Sequence, residues 1–452
     1  MARKTKLEQA IDKLTPEDVI ALQHIYLYRT LTVTQLMTSV YKLRSSQTRK
    51  RNAILRRLLG LGVVELEDYK ENEHAVNLTT TGVNLVRQTK EIPQEIFDEK
   101  TRKIKRGYYT AGDLKMKRNL LNHQLTKNGF MLKFQRLVST PKFKQHMKDL
   151  GVQFSYQYFD EKYLTSYVLM RPDSVLHVGD TDFFIEEDMA TESAKQLRDK
   201  WHHYREFFQT TEFAMKKNKI AVLFLTDNIV KKPNLERRKE LVRMTAIDEI
   251  GDTYKNYYNM YVGSQDEILQ MVPWLIENAY HVNPEHDHLI QSLRQKNWLI
   301  TPLNTTKSMS NETVKSIKKQ LNHEDYWAYM AKMDKYGNLL SDNGRTCEFV
   351  LDDYTKRPLD VEHRMLMFDV DEHMFSTKFD RQLQYIVVLP NDYHEFIMHD
   401  LKQAKCVFST NMFFTTFKLL ETQPLHLALF KFDMSGKRYN FTDGSLSVRQ
   451  YI

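Results

Sequence analysis

The chain has 452 residues, 41% hydrophobic and 27% charged, with a net charge of +8 and only 14 glycines. That length suits about two to four domains with at least one sizeable core, and glycine stands at about half its usual share. No G-x-x-x-x-G-K-[ST] or G-x-G-x-x-G stretch occurs, the one Gly-Lys pair being Gly436-Lys437, so the sequence argues against phosphate-cradling nucleotide folds. Two cysteines, Cys347 and Cys406, rule out a disulfide framework and a multi-cysteine zinc site; one bridge between them or two free thiols stay open, with free thiols the plainer reading. Met1 to Lys13 is polar, with no apolar core of a signal peptide, and no run approaches the ~18 apolar residues of a membrane span. A cytoplasmic location and no membrane insertion are expected.

The positive charge is concentrated. Residues 1–118 hold 23 Lys and Arg against 14 Asp and Glu, a net +9, and the rest of the chain nets −1. Lys42, Arg44, Arg49, Lys50, Arg51, Arg56 and Arg57 form a run without an acid. Lys100, Arg102, Lys103, Lys105 and Arg106 form a second, continued by Lys115, Lys117 and Arg118. Such runs are commonly just solvated faces; local structure decides otherwise here.

Thr15-Pro16-Glu17-Asp18 is a helix start, with a hydroxyl cap, an early proline and acids at the positive dipole end. Leu31 to Tyr41 reads as a second helix, and Ser45 or Ser46 caps a third that Gly60 and Gly62 stop. Val63–Leu66 and Ala75–Leu78 read as two strands, and Thr79-Thr80-Thr81-Gly82 opens another helix. Three helices and a two-stranded wing resemble a winged helix-turn-helix. The third helix then lies in the recognition position and carries most of the arginines, which suits phosphate and guanine contacts in a major groove. Arg44, Arg49, Lys50, Arg51, Arg56, Arg57, Lys103, Lys105 and Arg106 are the expected DNA-binding residues.

Further along, Asn119–Arg136 reads as a helix, Val152–Phe159, Tyr163–Met170 and Asp182–Glu187 as strands, Thr191–Phe208 as a helix and Lys219–Leu225 as a buried strand, followed by a charged helix, Leu235–Met244. This α-β-β-β-α-β order is the minimal order of a restriction-endonuclease-like core of the PD-(D/E)xK type. Asp173 would leave the second strand, and Glu186 and Asp188, two apart, would project from one face of the third. Three such carboxylates are hard oxygen ligands for Mg²⁺ or Mn²⁺, which stabilise phosphoryl charge and activate a nucleophile. Lys195 or Lys200 on the next helix would stabilise charge, with Tyr204 one turn beyond Lys200. The spacing alone fits a solvated strand edge equally well.

Arg171-Pro172-Asp173, Phe184-Ile185-Glu186-Glu187-Asp188-x-x-Thr191 and Lys200-x-x-x-Tyr204, with His123-Gln124-Leu125 upstream, resemble the plasmid replication-relaxation family over roughly residues 15–245. Ala190 stands where the family commonly has glycine. The family includes MOBC-class relaxases, which nick plasmid or integrative-element DNA at the transfer origin, and also members without demonstrated cleavage. The resemblance implies that Asp173, Glu186 and Asp188 are metal-binding or catalytic acids, that Lys200 and Tyr204 share their site, and that His123 stands in its helical wall. Tyr204 and water are both open as the nucleophile. The implied partners are double-stranded origin DNA, single-stranded DNA after nicking, and relaxosome or coupling proteins. The alternative is a non-catalytic DNA-binding replication or transcription regulator, or a relaxosome accessory protein, built on the same fold.

Other signals carry less. His286-Asp287-His288 lies in an expected Pro284-Glu285 loop and lacks the hydrophobic middle of a histidine metal pair, and His202-His203 reads as helix surface. Asp369-Val370-Asp371 reads as a solvated strand face, and Tyr108-Tyr109 as linker packing rather than a base-stacking platform. Residues 302–312 read as a linker; Cys347–Leu351, Arg364–Val370, Gln384–Pro390 and Leu425–Phe432 read as strands, with helices Gln265–Ala279, Tyr393–Ala404 and Phe413–Leu420. The expected organisation is a winged helix over 1–90, a basic linker over 91–118, the endonuclease-like core over 119–250 and an α/β domain of open role over 251–452.

Overall fold

The computed structural model describes residues 11–98, 102–164, 167–188, 192–216, 219–226, 232–250, 258–282, 284–303, 312–321, 326–336, 338–342, 345–346, 348–354, 358–391, 411–432 and 438–440. Cys347, Cys406, Ala190, Thr191, Lys100, most of 302–312 and the helix expected at Tyr393–Ala404 lie outside them. The chain is mixed α/β and multi-domain, dividing into two compact units: Met1–His146 with Tyr158–Leu164, and Met147–Gln157 with Thr165–Ile452.

In the first unit, the Thr15 hydroxyl accepts the Asp18 N–H and Asp18 accepts the Thr15 N–H at 2.9 Å, a capping box that starts α1 (Pro16–Tyr28). The second helix begins later than expected. Leu31–Thr32 is a short strand, β1, paired with Ala75 and Val76, and only then do α2 (Val33–Gln35) and a π-type turn, Leu36–Val40, follow. Helix α3 (Thr48–Gly60) starts after Gln47 rather than at a serine cap. The Gln47 side chain accepts the Arg44 N–H at 2.7 Å and caps no N–H of α3. Strands β2 (Val64–Lys70) and β3 (Glu73–Leu78) pair antiparallel in a sheet of order β1-β3-β2. Helix α4 (Thr80–Thr89) needs Gly82, because a Cβ there would lie 2.1 Å from the Val63 carbonyl oxygen.

The segment read as a basic linker is structured. It forms an antiparallel hairpin, β4 (Glu95–Asp98) with β5 (Lys103–Arg106), and a short helix, α5 (Ala111–Leu114). Tyr109 packs edge-on to Tyr163, and its hydroxyl donates to the Lys162 carbonyl at 2.6 Å, as linker packing requires. Helix α6 (Arg118–Val138) is followed by α7 (Pro141–Asp149) and by β6 (Tyr156–Asp160).

The second unit corrects the place of Asp173. Among the described residues of Tyr163–Met170 there is no strand: a 3-10 turn spans Glu161–Tyr163, and the described residues beyond it are irregular. The apolar alternation there packs aromatic rings, Tyr167 lying edge-on to Phe184. Asp173 therefore enters a strand, β7 (Ser174–Val178), instead of leaving one. Gly179-Asp180 makes a two-residue turn, with Gly179 at φ 56°, into β8 (Thr181–Glu187). Helices α8 (Ala194–Phe208) and α9 (Thr211–Met215) lead to β9 (Lys219–Leu225), parallel to β8. Helix α10 (Lys232–Ile250) then precedes β10 (Tyr258–Gly263), parallel to β9, and α11 (Gln265–Ala279) follows. Parallel neighbours bury both faces of β8 and β9, which explains their continuous apolar runs.

Helix α12 (Pro284–Gln295) replaces the loop expected around His286. Then come β11 (Trp298–Pro302), α13 (Glu312–Gln320), β12 (Ala328–Lys332), a small hairpin, β13 (Ser341–Asp342) with β14 (Arg345–Thr346), and β15 (Glu348–Asp353). Helix α14 (Pro358–Phe379) contains Arg364–Val370, which reads as a strand because Met365-Leu366-Met367-Phe368 is an unbroken apolar run without visible period. Strands β16 (Leu383–Leu389) and β17 (Met412–Thr416), helices α15 (Phe417–Thr422) and α16 (Leu425–Ala428), and strands β18 (Phe430–Phe432) and β19 (Arg438–Asn440) complete it. The stretch Leu425–Phe432 is thus helix and then strand, and Phe413–Leu420 strand and then helix. The sheet runs β11-β12-β15-β16-β17-β18-β19. One face packs Val350, Tyr385 and Val387 with Val361, Met365 and Phe368 of α14; the other packs Phe349, Ile386 and Phe413 with Leu289 and Leu293 of α12. Among the described residues, no helix is long and apolar enough to cross a membrane.

Candidate acid site and basic surface

The two-residue turn at Gly179-Asp180 fixes the register of the β7–β8 hairpin, Val178 opposite Thr181 and Ser174 opposite Ile185. One step further, Asp173 meets Glu186. The Asp173 carboxylate accepts the Glu187 N–H at 2.9 Å, tying the strand entrance to the end of β8. Every residue of β8 is buried, so each of its charges needs a partner.

Glu186 finds two on α8, whose Ser193 cap and Gln196 form a capping box. Lys200 and Tyr204, one turn apart, share a helix face. The Tyr204 hydroxyl donates to Glu186 Oε1 at 2.6 Å, and Lys200 Nζ lies 3.4 Å from Oε2 and 3.1 Å from Glu192. Tyr204 is fully buried, whereas Lys195 is exposed, so Lys200 is the lysine of this site. Burial and the charge of Asp173 push the Glu186 carboxyl above the usual glutamate range, against the pull of Lys200 and Tyr204. Lys200 is raised: although burial opposes its charge, Glu186, Glu192 and Asp173 together outweigh burial and hold it protonated.

Asp188 does not join them. Arg238 of α10 grips its carboxylate with two hydrogen bonds, at 2.6 and 2.8 Å, and donates to the Glu192 carbonyl at 2.5 Å. The i, i+2 spacing puts both acids on one face of a continuing strand, but β8 ends at Glu187, and Asp188 follows the chain out of the strand toward α10. Among the described residues, no three His, Cys, Asp or Glu side chains are close enough to hold a metal. The acids left near one another are Asp173 and Glu186. Asp182, also buried, is taken by the Tyr167 hydroxyl and by His177 at 2.7 Å.

His123 sits half-buried on α6, in the first unit. Its neighbour Gln124 is buried and donates to Asp160 at 2.7 Å, beside the 2.9 Å Lys127–Asp160 ion pair. Asn128 donates to the Tyr28 and Thr30 carbonyls. Sequence reasoning misses this cluster; its signal is two polar residues, Gln124 and Lys127, spaced onto the apolar side of a helix. Burial pushes the Asp160 carboxyl up, but Lys127 and Gln124 outweigh it and hold it below the usual aspartate range.

The basic residues of the first unit differ in exposure and in their contacts. Arg44, Arg49, Lys50 and Arg56 are exposed, as are Lys103, Lys105 and Arg106 on β5, beside the exposed Phe97 and Ile104. Arg51 lies 3.4 Å from the Thr34 hydroxyl, and Arg106 pairs with Asp113 at 3.2 Å. Arg57 leaves the expected DNA face: its guanidinium makes hydrogen bonds of 3.0 and 2.7 Å to the buried Asp18, which also accepts from Tyr41. Asp18 thereby clamps α1 to α3.

The remaining signals resolve as structure. His286 lies 2.7 Å from Asp353 and stacks on Trp327 at 4.2 Å; His288 is exposed. His202 contacts Arg205 and Glu206, and His203 is exposed. Asp371, on α14 rather than a strand, accepts from Tyr326.

The elements define a mixed α/β, multi-domain chain in which a basic surface and a buried acid–lysine–tyrosine site are carried by different units. Residues 22–223 match the family model described as replication-relaxation, and over that segment the chain is similar to the family. The family points to a role in plasmid replication and relaxation, with DNA as the partner. No curated protein and no solved structure matched the chain.

Proposed function

We propose that the chain is a site- and strand-specific DNA nickase of a mobile element, a relaxase of the MOBC type. In this reading residues 1–90 act as a winged helix on origin DNA and 119–250 as a PD-(D/E)xK-type core. The observation that carries it is the β7–β8 register, which sets Asp173 beside Glu186 with Lys200 and Tyr204 over the pair. A buried carboxylate facing a second acid is disfavoured by their repulsion, and a bound cation would offset that cost. Asp173 and Glu186 would hold Mg²⁺ or Mn²⁺, which supplies charge stabilisation at a phosphodiester when bound. Lys200 holds positive charge where phosphoryl charge develops. Tyr204 orients Glu186, and its buried, donating hydroxyl favours water as the nucleophile.

DNA engagement rests on α3. Its first turn carries Arg49 and Lys50 and no acid, and its N-terminal amides lack a side-chain cap. Both features are unfavourable for an isolated helix and favourable beside a phosphate. The β4–β5 hairpin adds Lys103, Lys105 and Arg106. The test is incubation of a supercoiled plasmid bearing the element's origin with the protein and Mn²⁺. Nicked circles are expected from wild type and not from Glu186→Gln. A wild type that binds the plasmid without nicking it would favour the regulator reading, to which the Asp188–Arg238 clamp lends support as a scaffold feature.

A further inference from the structure

The two sheets of the second unit are built alike. In the first, the order β7-β8-β9-β10 runs antiparallel, parallel, parallel, with α8 between β8 and β9. In the second, β12-β15-β16-β17 runs antiparallel, parallel, parallel, with α14 between β15 and β16. A mixed sheet whose direction changes once, at the same strand, with the crossover helix at the same step, is a specific coincidence. The sequence supports it. Phe183-Phe184-Ile185 precede Glu186-Glu187 at the end of β8, and Phe349-Val350-Leu351 precede Asp352-Asp353 at the end of β15.

Register and helix position then equate individual residues. Ser174 pairs with Ile185, so Asp173 falls opposite Glu186; Ala328 pairs with Leu351, so Trp327 falls opposite Asp352. Each strand pair is tied by one side-chain-to-backbone bond, in opposite senses: Asp173 accepts the Glu187 N–H, whereas the Trp327 N–H donates to Asp352 at 3.0 Å. Lys200 is the seventh residue of α8 and reaches Glu186; Arg364 is the seventh of α14 and reaches Asp352 at 2.6 Å. Tyr204, four residues after Lys200, corresponds to Phe368, four after Arg364. The departures concern connections and chemistry. The two-residue turn of β7–β8 is replaced by a longer link containing β13 and β14.

We infer that β12 to β17 is a second copy of the acid-bearing module, with its site closed by substitution: Trp327 where the first acid stands, and an arginine bound to the remaining acid. Asp352 is 2% exposed and accepts from Arg364, from the Tyr385 hydroxyl at 2.7 Å and from the Trp327 N–H. The guanidinium stands where Lys200 stands in the first site and holds its acid more closely, at 2.6 Å against 3.4 Å. The Asp371–Tyr326 contact beside it adds a further buried carboxylate, not an opening. The chain therefore carries one acid site able to take a ligand, and one that serves as a structural ion pair. Combined with the nicking reading, on which this last step alone rests, one open site per chain cuts one strand.

The experiment compares melting temperatures of full-length Asp352→Asn, Arg364→Lys, the double variant Asp352→Asn/Arg364→Met, and Glu186→Gln, with and without Mn²⁺. Breaking a closed pair leaves one partner buried alone, so Asp352→Asn should melt on the order of 5 °C or more below wild type. The double variant should recover at least half of that loss. Glu186→Gln should melt at or above wild type, and only this variant should lose any stabilisation by Mn²⁺. Arg364→Lys keeps the charge and folds on either account; a lower melting temperature without a new Mn²⁺ response supports closure. An Asp352→Asn protein that melts higher than wild type, or loses nicking more than tenfold while folded, would overturn the inference. If wild type neither nicks nor responds to Mn²⁺, the functional reading fails, and the melting comparison still decides this one.

Discussion

The chain holds its charges in two ways, and the contrast between α3 and β8 shows why the two regions do different work. On α3, Arg49, Lys50 and Arg56 stand exposed, available to an external polyanion at little conformational cost. On β8 and just after it, Asp182, Glu186 and Asp188 are buried, each with its own partner. Arg57 and Asp160 show that burial, not sequence neighbourhood, decides the class. Arg57 shares a helix with Arg49 and yet belongs with the buried pairs, through Asp18. What distinguishes Glu186 among the buried acids is that its strongest neighbours include a second acid, whereas Asp188 and Asp160 each have a dedicated cation.

Four variants put this contrast at risk. The largest effect is expected at Asp160→Ala, which strands the 1% exposed Lys127 ammonium and should cost about 3–5 kcal/mol by chemical denaturation. The Asp160 carboxyl is held below its ordinary value, so its contribution is present above the usual aspartate range and lost as pH falls through the folded value. A stability profile flat in acid would contradict that pairing. Arg57→Ala should come next, at about 1–2 kcal/mol, since it removes the cation from a buried carboxylate that keeps its Thr15 and Tyr41 hydrogen bonds.

Glu186→Gln should act in the opposite direction on stability. An acid whose folded value is raised binds its proton more tightly in the folded chain, so its contribution is full below the usual glutamate range and is lost as pH rises through the folded value. Removing it should leave the neutral-pH stability equal or higher, with the pH slope in that window gone; a clear loss would mark Glu186 as purely structural. Smallest in stability is the triple change of Arg49, Lys50 and Arg56 to Ala, expected within about 0.5 kcal/mol of wild type. Duplex affinity should nevertheless fall, and its log–log salt slope should shrink by about 0.9 for each phosphate no longer neutralised. Unchanged salt dependence would remove α3 from the DNA interface.

Local signals in the sequence are reliable where one period dominates. Strand β9 and helix α11 lie where their patterns put them, the first as an apolar run between breakers, the second behind the Ser264 cap that its Glu267 completes. Short or evenly apolar segments mislead. Tyr163–Met170 alternates like a strand, whereas Ser174–Val178 is only five residues long, so the pattern puts Asp173 on the wrong side of a strand. The acid pair is still legible because Asp173 directly precedes β7 and Glu186 lies near the end of β8, but the departure of Asp188 to Arg238 spans fifty residues and leaves no local trace. The Gln124–Lys127–Asp160 cluster is hidden for the same reason. Arg57 is indistinguishable from its neighbours until Asp18, thirty-nine residues earlier, is seen beneath it.

The most direct test of the acid pair is the origin-plasmid assay in Mn²⁺, run with wild type, Asp173→Asn and Glu186→Gln, each first shown to melt as a folded chain. Nicked circles from wild type, with at least an approximately hundredfold loss in both variants, are predicted. Equal nicking by folded Glu186→Gln, or none by a wild type that binds the plasmid, would contradict it.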